Sequence, residues 1–337
     1  MLRLIIGTDW TANRNEILRQ ISEDVAKGLE NRILLVPELI SHDMERRLCA
    51  SAGDTASRFA EVLSFTRMAR RVSEYVQDSG PDCLDNGGRL VAMAAACRGL
   101  HSKLKAYAAV ETRPEFLSGL VDAVDEFKRC RISASDLKAA SERTQGSLAQ
   151  KLDELSLILN AYDGLCANGK RDPRDRETQL LEQLEDSDFG ENHVFYIDGF
   201  PDFTRQHLAI LSHLIRVSPS VTVSINCDRV SSGAMAYEKT GQTAAELLRC
   251  AREQDVPVLI QEVSGSNSPL KQVCTRLFQG EVHPNPVLKD RLFVLYGDSV
   301  YQECTEAAEQ ILALVQSGSR FRDISVVCGD MNLYRDT

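Results

Sequence analysis

Short apolar runs and longer amphipathic segments alternate along the first part of the chain. Three runs, each followed by a segment with helical spacing, are Leu4–Ile6, Ile33–Val36 and Val62–Phe65. This alternation is typical of parallel βα units, whose binding loops lie at the carboxyl ends of the strands. We therefore predict an α/β domain with candidate binding loops at Gly7–Ala12, Pro37–Ser41 and Phe65–Arg67.

Between about residue 84 and residue 184 the strand signal disappears and helical spacing takes over. One apolar stripe consists of Phe116, Leu120, Val124 and Phe127, and a second of Leu148, Leu152, Leu155, Leu159 and Tyr162. Spacings of three and four mark one face of a helix, so the pattern predicts a helical insertion. The second stripe also fits a coiled-coil seam, but its short length favours packing within the domain.

Strands return at Val194–Ile197, Val221–Ile225 and Val258–Val263. We predict a helix near Leu270–Phe278 and then a stiff interdomain link at His283–Pro286. A strand, a helix and a second strand are predicted beyond the link, at Leu292–Tyr296, Glu303–Val315 and Ile324–Val327. One such βαβ unit buries too little apolar surface to fold alone, so we expect a second α/β domain that is cut at Thr337.

These patterns predict four segments. They are the first part of an α/β domain (1–83), a helical insertion (84–188), the return to the first domain (189–282) and the beginning of a truncated second domain (283–337).

The 337 residues are 43% hydrophobic, enough for a sizeable core, and carry a formal net charge of −10. Such acidity argues against a surface that binds nucleic acid everywhere, because affinity for phosphate comes from lysine and arginine. A local groove remains open as a hypothesis. Arg67, Arg70 and Arg71 cluster after an apolar strand, and Arg46 and Arg47 lie before it. The cluster either guides a DNA strand or forms a solvated helix face.

The ten cysteines and six histidines show no spacing typical of a zinc or iron–sulfur site. Nothing in the order of Ser, His and Asp residues indicates a hydrolase triad. We therefore predict no catalytic residue, no metal site and no cofactor in this chain. No apolar stretch approaches the length of about 18 residues that a membrane span needs, and no signal peptide is present, so we expect a cytoplasmic chain without membrane contact.

The first apolar strand runs into a turn that matches part of a phosphate-binding loop. In the loop GxxxxGK[ST], backbone amides cradle phosphate, the lysine reaches its oxygens and the hydroxyl holds Mg²⁺. Here the positions read Gly7, Thr8, Asp9, Trp10, Thr11, Ala12, Asn13 and Arg14. We predict a degenerate nucleotide site at Gly7, Thr8, Thr11, Ala12, Asn13 and Arg14 that keeps the loop shape but does not bind ATP tightly. The alternative is that Gly7 only ends a strand.

Asp198 follows the strand Val194–Ile197, where a nucleotide-hydrolysing motor carries the aspartate that holds Mg²⁺. The next residue is Gly199, whereas an active motor has a glutamate that orients the attacking water. The losses at Asn13 and Gly199 together predict that the chain is not an ATPase. Asp198 is then either a relic of the nucleotide site or a turn residue.

Taken together, these features resemble a superfamily 1 helicase-like core of the P-loop NTPase type, and more specifically the amino-terminal part of AddB, a subunit of bacterial AddAB helicase–nucleases. The segments that carry the resemblance are Leu2–Gly7, Leu34–Pro37, Leu63–Ala69, Val194–Thr204 and Phe321–Val327. The end of the phosphate loop departs from the GxxGxGK[ST] turn of many AddB proteins.

The resemblance implies a non-motor scaffold that works with the AddA subunit in double-strand-break resection and holds the separated strand that is scanned for Chi. The family's nuclease domain and iron–sulfur cysteines lie in its carboxy-terminal part. Mg²⁺ and an iron–sulfur cluster are therefore expected only in the full-length family member. The expected partners are an AddA-like subunit and single-stranded DNA.

Four residues have the chemistry for single-strand contact: Phe65, Thr66, Arg67 and Arg70. An aromatic ring stacks on a base, while a hydroxyl or guanidinium holds phosphate. The resemblance places Leu39 and Ser41 beside the same path. The alternative for Phe65 is a core residue at the end of a buried strand.

Two other functions remain open from the sequence. One is a functional P-loop NTPase or kinase in which Arg14 replaces the charge of the lysine. The other is a protein-interaction module whose acidic surface repels DNA.

Overall fold

The computed structural model describes residues 1–78, 83–231, 233–265, 269, 270, 273, 288, 289 and 291–336. The chain forms two compact units, one of residues 1–266 with 277–279 and the other of residues 267–276 with 280–337. No helix among the described residues is long and apolar enough to span a membrane.

The first unit is built on a six-stranded sheet in which every pairing is parallel. Its strands are β1 (Leu2–Gly7), β2 (Arg32–Leu35), β3 (Ala60–Leu63), β4 (Val194–Ile197), β5 (Val221–Asn226) and β6 (Val258–Glu262). Their order is β3-β2-β4-β5-β1-β6, which places β1 between β5 and β6. All six predicted strands up to residue 262 are present, because covered parallel strands read as short, nearly continuous apolar runs. The third begins and ends earlier than predicted, since Phe65 already belongs to the following helix.

The helices of this unit follow in chain order. They are α1 (Trp10–Ala26), α2 (Ser41–Ala52), α3 (Phe65–Tyr75), α4 (Asn86–Gly99), α5 (Pro114–Arg129), α6 (Ala134–Glu142), α7 (Gly146–Ala167), α8 (Arg176–Glu185), α9 (Phe189–Asn192), α10 (Arg205–Val217) and α11 (Glu238–Arg252). Single 3₁₀ turns lie at Glu38–Ile40, Ala56–Arg58, Pro173–Asp175 and Met235–Tyr237.

Helices cover both faces of the sheet, because successive side chains of a buried strand point to opposite sides. Ile5 belongs to a core cluster with residues of α1 and α2, whereas its neighbours Leu4 and Ile6 belong to another cluster with residues of α3, α8, α10 and α11. The helices that follow β1 and β5 therefore lie on opposite faces. In an open parallel sheet, this change of side opens a crevice at the carboxyl ends of the two strands.

Helices α4 to α7 have a hydrophobic core of their own, which includes Leu120, Val124, Leu159 and Tyr162. Both predicted stripes contribute to it, although Leu148 at the start of the second is 54% exposed. Helix α7 packs on α6 and α4, so the stripe is used within the domain rather than as a coiled-coil seam. Helix α8 instead belongs to the core cluster around the sheet. The segment predicted as the helical insertion, which runs to residue 188, therefore includes one helix of the sheet core.

The second unit contains helix α12 (Val300–Gln316), a 3₁₀ turn at Phe321–Asp323 and helix α13 (Met331–Tyr334) among its described residues. The predicted helix is confirmed. The strands predicted at 292–296 and 324–327 are wrong, because these described residues form no ladder, and an apolar run becomes a strand only where a neighbour pairs with its backbone. Most of the predicted helix at 270–278 and all of the link at 283–286 lie outside the described residues.

A buried carboxylate organises the loop after α4. Glu154 on α7 is 3% exposed and accepts hydrogen bonds from the backbone N–H groups of Lys105, Ala106 and Tyr107 at 2.8–3.1 Å. Burial alone would raise the pKa of Glu154, but these donors and the Gln150 amide outweigh it and lower the pKa. The ionised carboxylate therefore holds the loop on α7.

Replacement of Glu154 by Gln is expected to destabilise the protein by about 1–3 kcal/mol at neutral pH, because an amide leaves buried donors unsatisfied. The lowered folded-state pKa means that the carboxylate's contribution is complete above its ordinary value of 4.5 and is lost as pH falls through the folded value. Urea unfolding at neutral and acidic pH measures both effects. Asp153→Asn, at the adjacent surface pair with Lys138, is the control; equal, pH-independent losses would contradict the assignment.

Candidate functional site

The short turn between β1 and α1 places the Asp9 carboxylate at the amino-terminal end of α1. Strand β1 ends at Gly7 and α1 begins at Trp10, so only Thr8 and Asp9 connect them. Asp9 Oδ1 accepts hydrogen bonds from the backbone N–H groups of Thr11 at 3.0 Å and Ala12 at 3.3 Å. These first-turn amides are the donors that bind phosphate in a P-loop. The predicted loop shape is therefore absent, and a carboxylate occupies the donors.

Asn13, at the position of the P-loop lysine, is a structural clamp. Its amide nitrogen donates to Gly7 O at 3.0 Å and to Ile225 O at 3.2 Å, and the residue is 1% exposed. It thereby ties α1 to the ends of β1 and β5. Gly7 is required beneath it, because a Cβ there would lie 2.6 Å from Asn13 Oδ1 and 2.5 Å from Val263 O.

Arg14 and Asp198 form a buried ion pair across the crevice. The Arg14 Nε and Asp198 Oδ2 atoms are 2.6 Å apart, and both side chains are 5% exposed. Ser224 donates its hydroxyl hydrogen to the second oxygen, Asp198 Oδ1. The Trp10 ring covers the guanidinium, with 4.6 Å between Arg14 Cζ and the ring centroid. Both carboxylate oxygens of Asp198 are therefore already engaged by protein donors.

A magnesium ion does not fit this arrangement. In P-loop enzymes the Ser/Thr at the position of Arg14 and the aspartate at the position of Asp198 hold the metal together. Here a guanidinium, which has no acceptor atom, stands between the helix and the carboxylate. The described residues also contain no group of three or more His, Cys, Asp or Glu side chains placed to hold a metal.

Gly199 occupies the position where an active motor has a glutamate. Its φ of 86° lies in the left-handed region, which favours glycine. A Cβ added there would lie 2.8 Å from Ile40 Cδ1 and 3.3 Å from Pro37 Cδ. A side chain at this position therefore requires at least the Ile40 side chain to shift and would adopt a strained backbone conformation.

A cavity of about 300 Å³ remains above the ion pair at the carboxyl edge of the sheet. It is lined by Trp10, Asn13, Arg14, Ile40, Asp198, Gly199, Phe200, Pro201, Ser224, Asn226 and Thr240. The site predicted as a degenerate nucleotide pocket is thus a cavity, but Gly7, Thr8, Thr11 and Ala12 do not line it.

The predicted DNA-contact residues divide into exposed and buried groups. Leu39 is 98% exposed, Thr66 and Arg70 are exposed, and Arg67 is half-buried. A hydrogen bond from the Ser64 hydroxyl to the Glu38 carboxylate joins the turn of Leu39 to the start of α3. The structure therefore brings these four residues to one edge of the sheet.

Phe65 and Ser41 are not part of that exposed surface. The Phe65 ring is 5% exposed and stacks on His207, with ring centroids 3.9 Å apart and an interplanar angle of 5°. Ser41 is 7% exposed and donates its hydroxyl hydrogen to Glu38 O. The prediction that Phe65 offers its ring to a base is corrected: the ring lies at the start of α3, just after β3, and packs in the core.

Sequence reasoning did not assign roles to several residues of the site. Asp9 has a recognisable signal, since an aspartate just before a helix is a favoured N-cap. Glu45 pairs with Arg67 at 2.7 Å, and this contact lowers the pKa of Glu45. Ser224 is a polar residue in an otherwise apolar strand. His207 offers no sequence signal, because its partner Phe65 is far away in the chain.

Comparison with known proteins agrees with this architecture. The family described as ADDB, N-terminal, matches residues 4–274. The chain belongs to this AddB family. It is 29% identical to an ATP-dependent helicase/deoxyribonuclease subunit of Thermoanaerobacter sp. (strain X514), over 99% of this chain and 30% of the relative. It is 25% identical to the subunit of the same name from Clostridium novyi (strain NT), over 95% of this chain and 29% of the relative.

A similar relation holds for the corresponding subunit of Listeria monocytogenes serotype 4a (strain HCC23), which is 22% identical over 99% of this chain and 30% of the relative. The chain thus spans about 30% of the length of these AddB-family relatives. The family resemblance drawn from the sequence is confirmed.

Removal of either partner of the ion pair is expected to lower the stability of this AddB-family chain. Arg14→Met or Asp198→Asn alone should lower the free energy of unfolding by about 3–5 kcal/mol, because the remaining charge is left buried and unpaired. The double variant should lose clearly less than the sum of the two. Urea unfolding of all four proteins measures the coupling.

The exposed pair Arg47 and Asp43, 2.6 Å apart, provides the matched control. Its variants should change the free energy of unfolding by about 1 kcal/mol or less, since exposed pairs contribute little. Strictly additive effects at Arg14 and Asp198 would contradict a coupled pair.

Proposed function

We propose that this chain is the helicase-like, non-motor part of an AddB-type subunit that binds single-stranded DNA and an AddA-like subunit in double-strand-break repair. The ion pair between Arg14 and Asp198 carries the proposal. It occupies the place where a superfamily 1 motor holds Mg²⁺, and Asp9 occupies the amides that would hold phosphate. We accordingly propose that this chain acts without ATP turnover, and the family resemblance leads us to propose no nuclease activity and no cofactor in this part.

The edge formed by Leu39, Thr66, Arg67 and Arg70 is the proposed path of the strand. An exposed apolar side chain can pack on an unpaired base, while the hydroxyl and the guanidinium groups hold phosphate. The net charge of −10 restricts DNA to such a local basic edge. Leu39 cannot hydrogen-bond a base, so this position contributes contact without base-specific readout.

The names of the relatives support a partner subunit. The relatives are named as one subunit of an ATP-dependent helicase/deoxyribonuclease, and a scaffold that does not hydrolyse ATP needs a motor supplied by another chain. We assign that role to an AddA-like subunit. We further propose a cytoplasmic location, which suits a complex that acts on DNA in a bacterium.

One observation favours an interaction module that does not bind DNA. Arg67 is half-buried and already paired with Glu45, so a phosphate must compete with that carboxylate. This alternative predicts that the basic edge has no measurable affinity for DNA. A functional P-loop NTPase is disfavoured, because the groups that would hold Mg²⁺ and phosphate are already engaged within the protein.

A direct test is the anisotropy of a labelled oligothymidylate titrated with the chain at several salt concentrations. Arg70→Ala should weaken binding about tenfold or less and reduce the slope of log affinity against log salt by about one, because one phosphate contact is lost. Arg249→Ala, an exposed arginine on α11, is the matched control and should change neither value.

Absence of binding by the wild-type chain would favour the interaction module. Equal salt slopes for Arg70→Ala and Arg249→Ala would remove the proposed path. Mg²⁺-dependent ATP hydrolysis by the wild-type chain would favour the NTPase.

A further inference from the structure

The cavity above the ion pair is electrically balanced. Its only charged side chains among the described lining residues are Arg14 and Asp198, and they are paired with each other. A phosphate group there would find no unpaired cation, and a divalent metal would find no unengaged carboxylate oxygen of Asp198. Burial of an uncompensated charge is costly. The cavity therefore selects against ions of either sign.

Its walls suit a flat ring. Trp10 lines the cavity and is 57% exposed, although Arg14 lies over its ring, so part of the indole remains accessible. Phe200 and Pro201 contribute further apolar wall. Stacking on an aromatic ring is tolerant of base identity, because every nucleobase has a π-face.

Polar atoms are present beside these apolar walls. Asn226 and Thr240 line the same cavity, and the Thr240 hydroxyl donates to Asn226 O at 2.7 Å. The Asn226 amide nitrogen faces the carbonyl oxygens of Gly7 and Thr8. The side-chain oxygens of Asn226 and Thr240 are therefore the neutral atoms that can accept hydrogen bonds from the edge of a base. The volume of about 300 Å³ is at the small end of the range for ligand sites and suits a single compact ligand.

We propose that this cavity binds an uncharged nucleobase, either as a free nucleoside or as an unpaired base of a single strand, without help from phosphate or metal. A P-loop binds its ligand mainly through phosphate groups, whereas this cavity would bind through the base. The inference rests on the cavity and not on the DNA path along α3. The Arg70→Ala variant therefore tests the proposed DNA path, and the Trp10→Ala variant tests this inference separately.

Trp10 is the only tryptophan of the chain, so its fluorescence reports on the cavity directly. The wild-type chain is titrated with thymidine, adenosine, ATP with and without Mg²⁺, oligothymidylate and an abasic oligonucleotide of the same length. Adenosine should quench Trp10 at least as effectively as ATP, and Mg²⁺ should have no effect. The abasic oligonucleotide should not quench.

Quenching by nucleosides alone identifies a free nucleoside as the ligand, whereas quenching by oligothymidylate alone identifies a base of the strand. Three results would overturn the proposal: no quenching by any base-containing ligand, equal quenching by the abasic strand, or Mg²⁺-dependent binding of ATP that is more than about tenfold tighter than that of adenosine, as expected of a phosphate grip.

A variant series separates binding from folding. Trp10→Ala should weaken calorimetric binding of the quenching ligand about tenfold, because the stacking surface is lost. Trp10→Phe should retain most of the affinity. Tyr301→Ala removes an exposed aromatic side chain that does not line the cavity and should have no effect. Circular dichroism checks that each variant is folded; equal affinity of folded Trp10→Ala and wild type would refute the role of Trp10.

Discussion

One buried ion pair, between Arg14 and Asp198, fixes what the carboxyl edge of the sheet can hold. A carboxylate in a crevice with little water needs a compensating positive charge, since its desolvation is otherwise costly. A P-loop motor supplies that charge with Mg²⁺, which arrives and leaves with the nucleotide. In this chain a guanidinium supplies it permanently, and Ser224 engages the remaining oxygen. The same electrostatic need is thus met by a side chain of the protein itself.

The surrounding contacts agree with a static edge. Asp9 caps α1 with its own carboxylate, and Asn13 clamps the ends of β1 and β5. The Glu38 carboxylate joins the loop after β2 to the start of α3, so the turn of Leu39 and the exposed face of α3 are held together. In the proposed role as a scaffold for a DNA strand, such fixed geometry is favourable, because less conformational freedom is lost on binding.

Sequence patterns predicted the central sheet well, because each buried parallel strand is a local apolar run. They failed at 292–296, where an apolar run has no ladder partner, and pairing is not a local property. The prediction for Phe65 failed for the same reason. The local sequence is the same whether an aromatic residue just after a strand faces solvent or packs on a distant residue such as His207. The pair of Arg14 and Asp198 joins residues 184 positions apart, so only the fold could reveal it.

The most direct measurement is an anomalous diffraction map of crystals of this chain grown with ATP and Mn²⁺, a substitute for Mg²⁺. The guanidinium of Arg14 should remain on Asp198, with no manganese peak within coordination distance, about 2 Å, of either carboxylate oxygen. A manganese ion bound to Asp198, with Arg14 displaced and the triphosphate on the amides of α1, would contradict a permanent internal cation.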